Sequence, residues 1–396
     1  MTWTCIRKGK SANLSYQFYD SIEDVPKDDW NSIVNNSNVY LSLPYLEALE
    51  SSIKNEIACR YILFYQGNEA LGLASAQFIN VVDRKLKYQD SMCRIAGKIK
   101  GKVLEKIDMK VMVCGNIFTC GENGFLFKEG LSDEVIYDNL SNGLFELRER
   151  EKNENKVSLV ILKEFYPSSS AKTDSLKEFE FRDFEIDVNM VLNISQDWKT
   201  YDDYLGQMTS KFRTKAKSVA KKSKSLEVRD LQGADLLQYK DRIEELYQSV
   251  HEKADFKFGT LNGDVFVNLK QNMGDQFFIH GYFLEDQMVG FRTAFHANHI
   301  LDANYIGLDY DYNYTHAVYQ RMLYDYVDHA IQLGCEELRL GRTAEEIKSC
   351  IGAEPTPMKL YARHKNTISN KLLKPVINSI TPSEFELRRP FKVQVS

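Results

Sequence analysis

YFLEDQMVGFRTAFH, Tyr282 to His296, consists of two alternating apolar runs split by Glu285-Asp286-Gln287, the pattern of a β-hairpin. Ile300 to Leu308 supplies a third strand. A polar, aromatic turn follows, Asp309-Tyr310-Asp311-Tyr312-Asn313-Tyr314-Thr315, and leads into a helix. The helix carries Tyr319, Met322, Leu323, Tyr326, Val327 and Ala330 on one side, and Gly334 supplies a left-handed terminator. Glu336 to Leu340 is then a strand, and Gly341-Arg342-Thr343-Ala344-Glu345-Glu346-Ile347-Lys348-Ser349 leaves its carboxyl end. A β-α-β unit with polar residues splayed between strand and helix offers backbone N–H groups and side chains to a ligand at one sheet edge.

The same order occurs earlier in the chain. Arg60 to Tyr65 and Ala70 to Val81 form a hairpin around Gly67-Asn68. A longer insertion runs from about Asp83 to Glu105, and Lys110 to Val113 is the next strand. The Gly-rich turn from Cys114 to Gly124 precedes Ser132, which caps a helix with Asp133 and Glu134 in its first turn and Ile136, Leu140, Leu144 and Leu147 on one face. Val157 to Leu162 closes the set. Hairpin, strand, helix, strand therefore appears twice, which favours a pseudo-duplicated pair of domains, and 396 residues exceed one ordinary core. Pro167 to Ser175 is the linker candidate, giving domains at 1–170 and 171–396. The second would start with a strand at Asn189 to Ile194 and continue with helices at Tyr201 to Lys224, Leu236 to Glu252 and Asp264 to Met273. The tail from Asn366 carries a short amphipathic segment, Leu372 to Ile380, and a basic end.

Composition narrows the function classes. Hydrophobic content of 43% with 27% charged residues fits a soluble globular chain. The net charge of -5 gives no global attraction to nucleic acid, so any anion site must be a local patch. Seven scattered cysteines without a CxxC pair point to reduced thiols and no zinc, hence to the cytoplasm. The segment MTWTCIRKGKSANLSYQFYD lacks the apolar run of a secretory leader, and no stretch is apolar enough for a transmembrane helix.

The element order resembles the GNAT N-acetyltransferase fold, and finer features resemble its FemAB branch and the related BioF-like acetyltransferase domain. These are the helix start His316-Ala317-Val318-Tyr319, the strand end Leu340-Gly341, and Ile347-Lys348-Ser349-Cys350-Ile351-Gly352-Ala353. The last is similar to the family's Phe-Lys-x-x-Phe-Gly-Gly, with Ile for each Phe and Ala for the second Gly. The resemblance implies an α/β protein of tandem GNAT-like domains, each a mixed, mostly antiparallel sheet flanked by helices. It also implies acyl transfer to an amine, with acyl-CoA or aminoacyl-tRNA as donor and a small molecule or a lipid or glycan precursor as acceptor. One departure concerns the donor: the coenzyme A signature of glycines is replaced by the acidic, tyrosine-rich turn Asp309 to Thr315, a poor pyrophosphate cradle.

Within that frame, the resemblance places Lys348 at the donor end, where a fixed cation stabilises developing charge. The competing reading is a surface lysine at a helix start. Arg342 leaves the end of a central strand, where a guanidinium can fork onto phosphate or carboxylate, or pair with Glu345 or Glu346. Arg292, inside a hairpin strand, needs an anion partner if it points inward. Asp309, Tyr314, His316 and Tyr319 cluster between strand and helix: Asp309 or His316 could take the amine's proton and Tyr319 protonate the leaving group. Equally, Tyr319 fits the buried stripe and Asp309 could cap the helix. Arg213, Lys217, Lys221 and Lys224 line one face of a basic helix whose packed side is Phe212, Ala216, Val219 and Ala220. That ladder suits coenzyme A phosphates, tRNA or an anionic lipid, so peripheral membrane contact belongs among the expectations, and no metal does. A binding module that keeps the fold without catalysis is the reading of a different class.

Overall fold

A computed structural model describes residues 14–53, 56–82, 108–151, 157–253, 259–377 and 385–392. The expected insertion from Asp83 to Glu105 lies outside them, as does most of the segment read for a leader. The chain divides into two units, residues 1–187 with 255–259 and 357–382, and residues 188–254 with 260–356 and 383–396.

The first unit contains β1 (Ser15–Tyr19), α1 (Lys27–Val34), α2 (Leu43–Ile53), β2 (Ala58–Gln66), β3 (Glu69–Val82), β4 (Asp108–Cys114), β5 (Phe125–Phe127), α3 (Asp133–Arg150) and β6 (Val157–Phe165). The turns α4 (Pro167–Ser170) and α5 (Ser175–Glu178) occupy the segment read as a linker. Strands β1 to β4 form an antiparallel meander, and α3 then carries the chain across to β6, parallel to β4. Helix α3 starts where expected, with Ser132 Oγ accepting the N–H of Val135. Its face of Leu140, Leu144 and Leu147 is buried against Ile62, Phe64, Met112 and Leu162.

The second unit opens within β7 (Arg182–Asn193) and continues with α6 (Tyr201–Gln207), α7 (Ser210–Lys222), β8 (Glu227–Asp230), α8 (Gly233–Gln238), α9 (Lys240–His251) and α10 (Gly263–Met273). It proceeds through β9 (Phe277–Leu284), β10 (Gln287–Ala297), β11 (Ile300–Leu308), α11 (Tyr310–His316), α12 (Val318–Gln332), β12 (Glu337–Arg339) and α13 (Glu345–Ser349). Strand β13 (Glu354–His364) then leads back to the first unit, where its Lys359 to His364 pair antiparallel with β6, and α14 (Thr367–Ile377) follows. The strand order in the second unit is β7-β12-β11-β10-β9-β8, with β11 and β12 parallel across α12. Met322, Leu323, Tyr326, Val327 and Ala330 of the predicted stripe are buried.

Two expected helices are broken. Tyr201 to Lys224 is interrupted at Met208, which is extended and pairs with Phe391, while the N–H of Thr209 donates to the carbonyl of Pro390 at 2.8 Å. A remote segment thus supplies the partners that the helix would have used. The second break, at Tyr239, separates α8 from α9. The turn expected at Asp309 to Thr315 is helical from Tyr310 onward.

Helix α9 packs on β11 at Gly307, where an added Cβ would lie 2.7 Å from the backbone carbonyl carbon of Leu246 and 2.3 Å from the ring of Phe291. The helix backbone cannot give way locally. Gly307→Ala is therefore expected to destabilise the protein by about 2 kcal/mol, read as a lower urea midpoint. An unchanged midpoint would mean that α9 slides at no cost.

Candidate active site

The site begins with a divergence in the sheet. Strands β11 and β12 pair only at Ile300–Glu337, Leu301–Leu338 and Asp302–Arg339. Beyond this the chain stays with β7, through Leu340 N–H to Met190 O (2.8 Å) and Met190 N–H to Gly341 O (3.1 Å). Strand β11 stays with β10 to its last residue, Leu308. Among the described residues no strand pairs with β11 on the β12 side after Asp302, so Ala303 to Leu308 border an opening. There β11 also bulges: Arg292 faces Ile306 and Ala294 faces Ala303, leaving Asn304 and Tyr305 opposite Thr293 alone. The Thr293 hydroxyl accepts from Tyr305 N–H (2.9 Å) and donates to Tyr305 O (3.0 Å), satisfying the backbone of one of the two residues opposite it. The corresponding pair in the first unit does not open: β4 and β6 are paired through to Cys114–Leu162.

The wall after β12 is a tight loop. Gly341, Thr343 and Ala344 all have left-handed φ, 70°, 62° and 52°, a conformation that β-branched residues resist. Lys348 holds it in place. The side chain is 4% exposed, and its ammonium donates to the carbonyls of Gly341 (3.2 Å) and Arg342. It is thus a buried cation at the strand's end, and the surface-lysine reading is corrected. Arg342 is half-exposed on the same loop.

Across the opening, α12 starts after Ala317, itself left-handed (φ 50°), and the Asn313 side chain accepts the N–H of Tyr319 at 2.9 Å. Burial raises the pKa of the Tyr319 phenol, and Tyr310 and Glu345 act in the same direction, so it keeps its proton at neutral pH. Asp309 has both oxygens engaged: Oδ1 caps Asp311 N–H (3.2 Å) and Oδ2 accepts from Arg242 Nη2 (2.8 Å). His316 is half-exposed, with Nδ1 2.9 Å from Thr315 Oγ1. Tyr314 is 85% exposed, and the Lys222 ammonium lies 5.5 Å from its ring centre.

Arg292 points inward and is enclosed. Its Nε donates to Tyr282 Oη (3.0 Å), which donates to Asp325 Oδ2 (2.8 Å), and its guanidinium lies 4.6 Å from the Tyr326 ring centre. Burial opposes its charge, but Tyr282, Tyr326 and Asp325 outweigh that and raise its pKa. Its Nη1 is buried without a hydrogen-bond partner. The anion partner expected of an inward arginine is therefore supplied indirectly, through a tyrosine to an aspartate 33 residues away in sequence.

On α7, Arg213 is half-exposed and Lys217 and Lys221 are exposed, as is Lys224 just past the helix end, while Phe212, Ala216 and Val219 pack inward. Ala220, expected on the packed side, is exposed, because the helix buries a narrower stripe. Lys215 turns towards α13, with Nζ 3.2 Å from Cys350 Sγ, at a small pocket lined also by Leu323, Tyr324, Ile347 and Ile351. The structure thus gathers Lys348, Arg342 and Tyr319 about the opening and sets Arg292 inside the core. The bulge at Asn304-Tyr305 was missed, since nothing in Ile300 to Leu308 marks an extra residue.

Residues 210–349, which contain the divergent pair, the bulge and the start of α12, match the family described as "Acetyltransferase (GNAT) domain". This stretch is a GNAT domain. The sequence matches no curated protein. Among solved structures, the chain is similar to FemX at 12% identity, with a TM-score of 0.55 over 91% of this chain and 100% of that one. It is also similar to a conserved protein of unknown function from Bacteroides thetaiotaomicron VPI-5482, at 11% identity and a TM-score of 0.50, over 88% and 99% of the two chains. At these identities the likeness is one of fold, and it extends beyond the GNAT domain to nearly the whole chain. With the repeated element order, this gives tandem GNAT-like units, each with a mixed, mostly antiparallel sheet flanked by helices. No described helix is long and apolar enough to cross a membrane, and no described group of three or more His, Cys, Asp or Glu is placed to hold a metal.

Proposed function

We propose that the second unit transfers an acyl group from an activated carrier to an amine, with the donor carbonyl seated in the opening between β11 and β12. The opening itself carries the reading, because a thioester or ester arm can reach strand backbone that β12 leaves uncovered there. The attacking amine adds to the carbonyl carbon, and charge develops on the carbonyl oxygen. Strand backbone on the β12 side of β11 receives that charge, and Lys348 fixes the loop opposite. Tyr319, protonated and partly buried at the mouth, protonates the departing thiolate or alkoxide. His316 takes the amine's proton, since the oxygens of Asp309 are engaged by Arg242 and the helix cap. Arg342, Arg213 and Lys217 meet the carrier's phosphates. Among the described residues of the first unit, the β4–β6 pair is closed and offers no equivalent seat.

The carrier is tested by thermal stability against acetyl-CoA, a long-chain acyl-CoA, free coenzyme A and bulk tRNA. A ligand at 100 times its Kd adds about 2.7 kcal/mol, a rise of several degrees. A shift with an acyl-CoA, retained in Tyr319→Phe while turnover falls about a hundredfold, is the expected result. The exposed basic face of α7 beside Tyr314 favours one second reading, aminoacyl transfer from tRNA onto a cell-wall or lipid precursor. A shift with tRNA alone, lost in Arg213→Ala/Lys217→Ala, would select it. Silence from all four would reject both and favour a binding module.

A further inference from the structure

Helix α14 turns Ile368 and Leu372 outward. Ile368 is 73% exposed and Leu372 56%, one turn apart on the same face. The residue turned inward between them is polar: Asn370 is 2% exposed, with Nδ2 donating to Glu180 O (2.9 Å) and Oδ1 accepting the N–H of His364 (2.8 Å). The helix is therefore fastened to the first unit by an amide while two large aliphatic side chains stand in water. A helix serving only the core beneath it would be turned the other way.

The charged residues of this segment have one sign. Between His364 and Ser383 the sequence holds Lys365, Lys371 and Lys374 and no acidic residue, in a chain whose net charge is -5. Lys371 is exposed beside Leu372, and Lys365 is half-exposed. The Glu180 carboxylate behind the helix lies 3.5 Å from Arg363 Nη2. Aliphatic side chains flanked by lysines match an anionic bilayer, where acyl chains take the first and headgroup phosphates the second. A second copy of this chain would set lysines against lysines.

We propose that α14 is a docking surface for anionic lipid, lying along the bilayer with Ile368 and Leu372 at the acyl boundary and Lys365 and Lys371 among the headgroups. The contact is peripheral and salt-sensitive. It does not depend on the acyl-transfer reading.

The full chain is floated with vesicles of phosphatidylcholine alone and with about 30% phosphatidylglycerol, at low salt and at about 0.5 M salt. Binding to the anionic vesicles at low salt, at least about tenfold weaker in Ile368→Glu/Leu372→Glu and in Lys365→Glu/Lys371→Glu, is the expected result. None of the four side chains makes the hydrogen bonds of Asn370, and unchanged circular dichroism and melting confirm that the variants fold. Absence of binding to the anionic vesicles, or equal binding by the wild type and the Ile368/Leu372 variant, would overturn the proposal. So would sedimentation in which the wild type is a dimer and that variant a monomer, since the face would then belong to a second copy.

Discussion

Replacing Lys348 with methionine is expected to lower the stability of the protein by about 2–3 kcal/mol and to weaken donor binding at the opening. The size follows from what the ammonium holds. The carbonyls of Gly341 and Arg342 lose a charged donor, and a buried acceptor left unpaired costs about 1–3 kcal/mol. Methionine keeps most of the volume, so little of the effect comes from a cavity. The loop also carries left-handed Thr343 and Ala344, a conformation that persists only while its surroundings impose it. Urea unfolding measures the first effect and the ligand-induced thermal shift the second. A variant as stable as wild type, with its shift intact, would mean that the loop keeps its shape unaided and that Lys348 has no positioning role.

Acidification is expected to destabilise the protein through His280 and His329, which face each other between β9 and α12 with ring centres 5.5 Å apart. Burial, helped by the Arg292 charge, pushes His280 from its ordinary 6.5 down to about 3 and His329 down to about 4. The Nδ1 of each ring is buried without a hydrogen-bond partner. Between about pH 4 and 6.5 the unfolded chain binds protons at both rings and the native state does not, so stability rises with pH across that window and falls as acid is added. Each fully shifted group contributes about 1.4 kcal/mol per pH unit; partial exposure of both rings reduces the pair's combined slope to about 1–2 kcal/mol per unit. Urea midpoints at several pH values from 4.5 to 6.5, above most carboxylate titration, read the slope directly. In His280→Gln/His329→Gln that slope should largely vanish. Equal slopes in variant and wild type would assign the acid sensitivity to other groups.

What could be read from the sequence was whatever local periodicity controls. The run from Tyr282 to His296 alternates because its two faces meet different layers, and the Tyr319 to Ala330 stripe is spaced as a helix because it lies on a sheet. The features that escaped depend on partners far along the chain. Asp309 looks like a free carboxylate until Arg242, 67 residues earlier, reaches it. Met208 continues a good helical pattern and leaves it because Pro390 and Phe391 supply its neighbours. Strand β13 was not foreseen, since Glu354-Pro355-Thr356-Pro357 places two prolines where a strand would begin. At the site, Lys348 was found through a motif, but its grip on two carbonyls is backbone geometry that no residue type announces.

Strand β13 also sets the order in which the protein can be completed during synthesis. The first unit's β6 ends at Phe165, yet its antiparallel partner is Lys359 to His364. Until the ribosome has made the intervening stretch of about 200 residues, that edge of β6 is exposed, for about 10–40 s at ordinary elongation rates. The N-terminal half therefore cannot finish first, as halves of duplicated proteins commonly do. A nascent chain stalled before Lys359 should present an open strand to chaperones, and one released after His364 should not.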